Sequence, residues 1–168
     1  MKYLKTLLLA ITLSTGMFVA NAQKIAHINS EELVAAMPET KAMQDDLSKM
    51  AQNFDNDYKA QATALQAKLE KYQKEAPTKT DEENAKRQQE VAELQQKLQL
   101  YLKSAQEEMQ KKQMEMIKPI IEKAQKAIQD VADAKGIKYV FDSAPGKGLI
   151  VFKGEDLLSA VKAKLGIQ

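Results

Sequence analysis

Residues 38–76, PETKAMQDDLSKMAQNFDNDYKAQATALQAKLEKYQKEA, decide the fold. Apolar or aromatic side chains recur at Met43, Leu47, Met50, Phe54, Tyr58, Ala62, Leu65, Leu69, Tyr72 and Ala76. At about 100° per residue, all of them fall within about 60° either side of one line along a straight helix. Their mean step is about 3.7 residues, nearer an eleven-residue repeat than a heptad, so strong left-handed supercoiling is not expected. Off the stripe the apolar positions are mostly alanines. The segment reads as one long amphipathic helix, about 57 Å from end to end.

Ala76-Pro77-Thr78-Lys79-Thr80 interrupts the pattern. Pro77 disfavours helical geometry at Ala76, and Thr80 with Glu83 forms a capping box for a second helix. That helix carries a stripe at Val91, Leu94, Leu98, Leu102, Ala105, Met109, Met116, Ile120, Ala127 and Val131. It is predicted to run to about Lys135, with Gly136 as its stop and Ile137 as the contact beyond. A connection this short makes the two helices antiparallel. A bend centred near residue 78 sets Met43 beside Met114, Met50 near Met109 and Tyr58 near Tyr101.

Short elements flank the hairpin. Gln23–Asn29 (QKIAHIN) reads as a strand with Ile25 and His27 on one face and Ala26 and Ile28 on the other. Asn29 or Ser30 caps a short helix through Met37, with Glu32 placed for a capping box. Pro38 suits the first turn of the next helix, where its missing N–H costs nothing. Beyond Gly136 the period changes to two. Residues 138–142 (KYVFD) and 149–153 (LIVFK) are expected to pair as a β-hairpin across the Ser143–Gly148 turn. Asp156 then caps a last helix bearing Leu157, Leu158, Val161 and Leu165.

The expected fold is α+β and mainly α: a long antiparallel helical hairpin inserted into a small three-stranded β body with a short C-terminal helix. Residues 23–37 and 119–168 form the body. Residues 38–118 form a coiled-coil-like arm with its tip near 77–80. Three strands leave open edges, so the body is expected to oligomerise through Ile25, Ile28, Val140, Phe141, Ile150 and Val151.

Residues 1–22 read as a cleavable export signal: Lys2 and Lys5, a largely apolar Leu7–Val19, then Ala20-Asn21-Ala22. The apolar run is short for a membrane span, so the chain exported after Ala22 is expected to be soluble, without stable membrane insertion. Removing the two leader lysines from 25 basic residues leaves 23 against 23 acidic ones. Arg87 is the sole arginine, which leaves little capacity for forked phosphate recognition and argues against nucleic-acid binding.

The inventory does not suit an enzyme. Cysteine is absent and His27 is the sole histidine, so thiol chemistry is excluded and a metal cluster or histidine-based triad is not expected. Catalytic, cofactor-binding and metal residues are all read as none. Pro145-Gly146-Lys147-Gly148 lacks the spacing of a phosphate-binding loop. Glu82-Glu83 and Glu107-Glu108 read as solvated charge. Pro119 interrupts the second helix's hydrogen bonding and reads as a bend at the arm root, compatible with a hinge. Leu100 lies about 180° from the seam, and Tyr101, Met114, Ile117 and Ile121 lie to its sides. With Met43, Met50 and Phe54, the residues Leu100, Tyr101, Met114 and Ile117 are candidates for adaptable apolar contact.

The leader, the KIAHIN start, the long hairpin, residues 118–142 (KPIIEKAQKAIQDVADAKGIKYVFD) and the short last helix together resemble the Skp (OmpH) family of periplasmic chaperones. The resemblance covers essentially the whole exported chain and is most specific over 118–142, the arms matching mainly in architecture. It implies a homotrimer whose bodies share a β-barrel core and whose arms surround a cavity. It further implies a periplasmic holdase that keeps unfolded outer-membrane β-barrel proteins from aggregating before insertion, without ATP. A structural coiled-coil envelope protein that binds one folded partner is the alternative.

Overall fold

A computed structural model describes residues 24–167; the leader read over 1–22 lies outside them. The elements follow in the order β1 (Ile25–Ile28), α1 (Ser30–Ala36), α2 (Pro38–Glu75), a 3-10 turn (Ala76–Thr78), α3 (Asp81–Lys135), β2 (Tyr139–Asp142), β3 (Glu155–Asp156) and α4 (Leu158–Leu165). The α+β, mainly helical fold expected from the sequence is the one observed.

Local chemistry sets the helix ends. The Asn29 side chain accepts from the Glu32 N–H at 3.0 Å, and Pro38 opens α2 immediately after Met37. Thr80 accepts from the Glu83 N–H at 3.2 Å and starts α3. Gly136, at φ 65°, closes α3, and the Ile137 N–H reaches back to the Ala132 carbonyl at 2.9 Å. Pro119 sits inside α3, which continues across it.

Helices α2 and α3 pack antiparallel, with polar pairs crossing the seam at intervals. Lys68 and Tyr72 both donate to Glu90, the Tyr101 hydroxyl donates to Asp57 at 3.3 Å, and Lys123 bonds Glu39. At the tip, Arg87 reaches Glu75 at 3.0 Å and Glu83 at 3.1 Å, and its guanidinium lies 4.6 Å from the Tyr72 ring centre. The hydrogen bond to Glu90 raises the Tyr72 hydroxyl above its usual pKa, and the bond from Lys68 holds Glu90 below the usual carboxylate value.

The structure departs from the expected seam at Met114. Met43 lies with Met116, Pro119 and Ile120, whereas Met114 points outward. Two residues turn a helix by about 200°, so Met114 cannot share the inward face that Met116 occupies. Tyr101 meets Phe54 edge-on at 6.1 Å.

The body departs further. Residues 149–153 are not a strand, and the expected hairpin with 138–142 does not form. The sheet has the order β2-β1-β3 and is parallel throughout. Ile25 pairs with Tyr139 and Ile28 with Asp142, while His27 pairs with Asp156 on the other edge. A parallel connection must carry the chain back to the starting end of the sheet, which takes about a dozen residues. Residues 143–154 make that return, so Leu149–Lys153 crosses the sheet instead of extending it. Gly154 permits this path: a Cβ there would lie 2.9 Å from the Ile25 carbonyl oxygen.

Paired residues share a face. Ala26, Ile28 and Val140 face a core that includes Leu33, Met37, Leu157 and Val161. Ala124 and Ala127 supply small contacts from α3. Asp142 fastens this layer, accepting from the Ser30 N–H at 3.1 Å, the Ser30 hydroxyl at 2.5 Å and the Ala144 N–H at 3.0 Å. Partial burial pushes its carboxyl pKa up, but these bonds and the charge of Lys147 outweigh burial and hold it below the usual value.

Asp142→Ala is expected to destabilise the body by about 1–3 kcal/mol in denaturant unfolding, because it orphans three donors. Since the folded pKa is depressed, the stabilisation from Asp142 is present above the unfolded carboxylate pKa and fades as pH falls through the folded value. The alanine variant should lose less stability on acidification than the parent. Glu90→Ala is expected to speed amide exchange near Tyr72 and Arg87 while leaving exchange in β1 unchanged.

Candidate functional site

Among the described residues, two surfaces display large apolar side chains that remain exposed to solvent. The first is the sheet face opposite the helices. Register places Ile25, His27, Tyr139 and Phe141 together there. Ile25, Tyr139 and Phe141 are each about half exposed. The crossing segment adds Ile150, 92% exposed, with Val151 and Phe152. His27 is buried beneath Phe152, ring centres 4.5 Å apart, and its Nδ1 has no hydrogen-bond partner. A cavity of about 200 Å³ lies between the crossing segment and the sheet, bounded by Ile25, His27, Phe141, Leu149 and Phe152.

The second surface lies along the outer side of α3. Leu100 is 57% exposed and Met114 66%, with Ile121 also exposed. Ile117 is half-buried and packs partly against the core. Tyr101 is half-buried, its hydroxyl on Asp57 and its ring on Phe54. A shallow recess beside Leu100 and Tyr101 is bounded by Gln61, Lys97, Lys103 and Glu107, so apolar contact there is ringed by hydrated charge.

Among the candidate contact residues, Met43 is 6% exposed and belongs to the core, and Met50 and Phe54 are half-buried. Leu100 and Met114 face solvent. Leu102, assigned to the seam from its spacing, is instead an exposed side chain. Of the body residues, Ile28 is buried and Val140 half-buried in the core, whereas Ile25, Phe141, Ile150 and Val151 face outward.

At the arm root, Glu39, Ala42, Met43, Met116, Pro119, Ile120 and Lys123 surround a notch of about 490 Å³. The bond from Lys123 holds the Glu39 carboxyl below its usual pKa, and Glu39 Oε2 is buried without a partner. Sequence reasoning did not find this pair, since the two residues are far apart in the chain and meet only through the hairpin register.

Among the described residues, no cluster of three histidine, aspartate or glutamate side chains is placed to hold a metal ion, and no helix is long and apolar enough to cross a membrane.

A model of the family described as "Outer membrane protein (OmpH-like)" matches residues 24–165. Among solved structures, the chain is similar to one described as an OmpH-like outer membrane chaperone from Caulobacter crescentus CB15. The match has a TM-score of 0.75 and 16% identity, and it covers 89% of this chain and 88% of that one. At that identity the likeness concerns the fold. No curated protein sequence gives a significant match. The family match spans nearly all of the described chain and both of its parts, sheet body and helical arm, and on that ground the protein belongs to the OmpH-like outer membrane protein family.

Proposed function

We propose that the protein is an ATP-independent holdase of the periplasm that binds unfolded outer-membrane β-barrel proteins and prevents their aggregation before insertion. The leader-like residues 1–22 support export. Residues 23–37 and 119–168 act as the assembly body, residues 38–118 as the client-holding arm, and Pro119 as the hinge between them. The observation that carries the reading is the separation of two apolar surfaces on one small chain: the open sheet face, and Leu100 with Met114 on the arm.

The two surfaces suit different partners. Ile25, Phe141, Ile150 and Val151 form a dense patch next to sheet edges that offer unpaired backbone groups. A second and third copy of the chain would cover both, and a homotrimer places three arms around one space. On the arm, apolar side chains stand singly among lysines and carboxylates. Each contact is weak, but a long client chain touches many of them across three arms, and valency replaces a tight site. Residues 59–97 carry eight basic and seven acidic side chains. Capture therefore rests on apolar contact, and release follows when the client buries its own apolar face in lipid.

Diluting a urea-unfolded outer-membrane barrel protein into buffer with the chain that starts at Gln23 tests the reading by light scattering. Suppression of aggregation that saturates near three protomers per client supports a trimeric holdase. No suppression at any ratio, with the chain folded and helical, moves the assignment to a structural spacer. Leu100→Ser with Tyr101→Ser should weaken client retention severalfold and leave the oligomer intact. Ile25→Asp with Phe141→Asp should shift sedimentation toward the monomer while the arm stays helical.

A further inference from the structure

Sulfur chemistry in this chain is confined to methionine, because cysteine is absent. Six methionines lie in the described residues, and the fold treats them unequally. Met37 is 1% exposed and Met43 6%. Met50, Met109 and Met116 are half-buried. Met114 alone points outward, at 66% exposure, for the geometric reason given above: it lies two residues from a seam position on a continuous helix. One turn further along α3 comes Ile117, and two turns along comes the exposed Ile121, so Met114 ends an apolar face that extends from the body core onto the arm.

We propose that Met114 is an oxidation site through which a two-electron oxidant such as hydrogen peroxide weakens the arm's hold on an unfolded chain. The sulfur lone pair attacks one peroxide oxygen, the O–O bond breaks and hydroxide leaves. The proton on the transferred oxygen neutralises that hydroxide, giving methionine sulfoxide and water. Sulfur loses two electrons and the peroxide gains them. The product is a polar, chiral side chain where a flexible apolar one stood. At Met37 or Met43 the same change would break the core. At Met114 it alters only the surface, so the response is local and leaves the fold intact. This functional consequence rests on the holdase reading above.

The experiment exposes the assembled chain starting at Gln23 to hydrogen peroxide. Sulfoxide at each methionine is followed by peptide mass spectrometry, and retention of an unfolded outer-membrane barrel protein is measured in parallel. Met114 is expected to oxidise at least about tenfold faster than Met37 and Met43, as reactivity follows exposure. Retention should fall at least about twofold while helical circular dichroism is unchanged. Met114→Leu, compared with its own untreated level, should show no loss over the same exposure. The inference is overturned if Met114 reacts no faster than Met37, if protein fully oxidised at Met114 with Met37 and Met43 intact retains client as before, or if the leucine variant loses retention equally. Failure of the untreated chain to retain client overturns the holdase reading itself, and this inference with it.

Discussion

Everything in this structure depends on a parallel pairing between the two ends of the chain. β1 lies at the centre of the sheet, and both its neighbours come from beyond residue 138. The chain between must leave the sheet and return, and a closed loop of that length would be entropically expensive if it were flexible. A helical hairpin meets the constraint with rigid elements, because two antiparallel helices end where they began. α3 has 55 residues against 38 in α2. The excess carries α3 past the start of α2 and into the body, where Ala124, Ala127 and Val131 line the core. Arm and body are thus built on one continuous helix.

Such an arm has little core of its own, and register must come from elsewhere. A stripe of leucine, methionine and alanine does not distinguish sharply between neighbouring alignments of two helices. The pairs Lys68–Glu90, Asp57–Tyr101 and Glu39–Lys123 do, because sliding the helices would separate all of them together. Exposed pairs contribute little energy individually, typically under about 1 kcal/mol. Their effect here is selection among alignments of similar energy. The Arg87 cluster closes the end of the hairpin in the same way, with one guanidinium serving two carboxylates and an aromatic face.

What was legible in the sequence was local. Asn29 with Glu32, Thr80 with Glu83, and Gly136 each act within a few residues; the first two start their helices and Gly136 ends its helix as read. The helical stripes were legible for the same reason, although a ten-residue pattern could not settle Leu102, which fits the period but is exposed. What failed was non-local. LIVFK has the composition of a strand, and nothing within it reveals that the chain leaving β2 must return across the sheet to pair with the far edge of β1. Asp142 reads as the end of a strand, and its role appears only when the sheet brings it against Ser30. The sequence marks Ile25, Phe141 and Ile150 for contact between copies and they are exposed, whereas Ile28 and Val140, marked with them, lie in or against the core, since alternation marks apolar faces without saying which one the chain itself covers.

The two open apolar surfaces also differ in how they can be covered, and this orders events on the holdase reading. The sheet face is dense in branched and aromatic side chains, and its outer strands have no further partner strand among the described residues, so a partner would have to match it in both shape and hydrogen bonding. Another folded copy can do so, whereas a fluctuating chain cannot do it repeatedly. The arm face is sparse: Leu100 and Met114 stand singly in solvent, and the unbranched Met114 adjusts to different contacts. If clients reached the sheet face first, they would occupy the surface that assembly needs and would leave the arms ungathered. On the holdase reading, assembly would therefore precede client binding, and the weakness of each arm contact would be a requirement: a tight arm site would capture neighbouring arms during assembly and close the space they are meant to enclose.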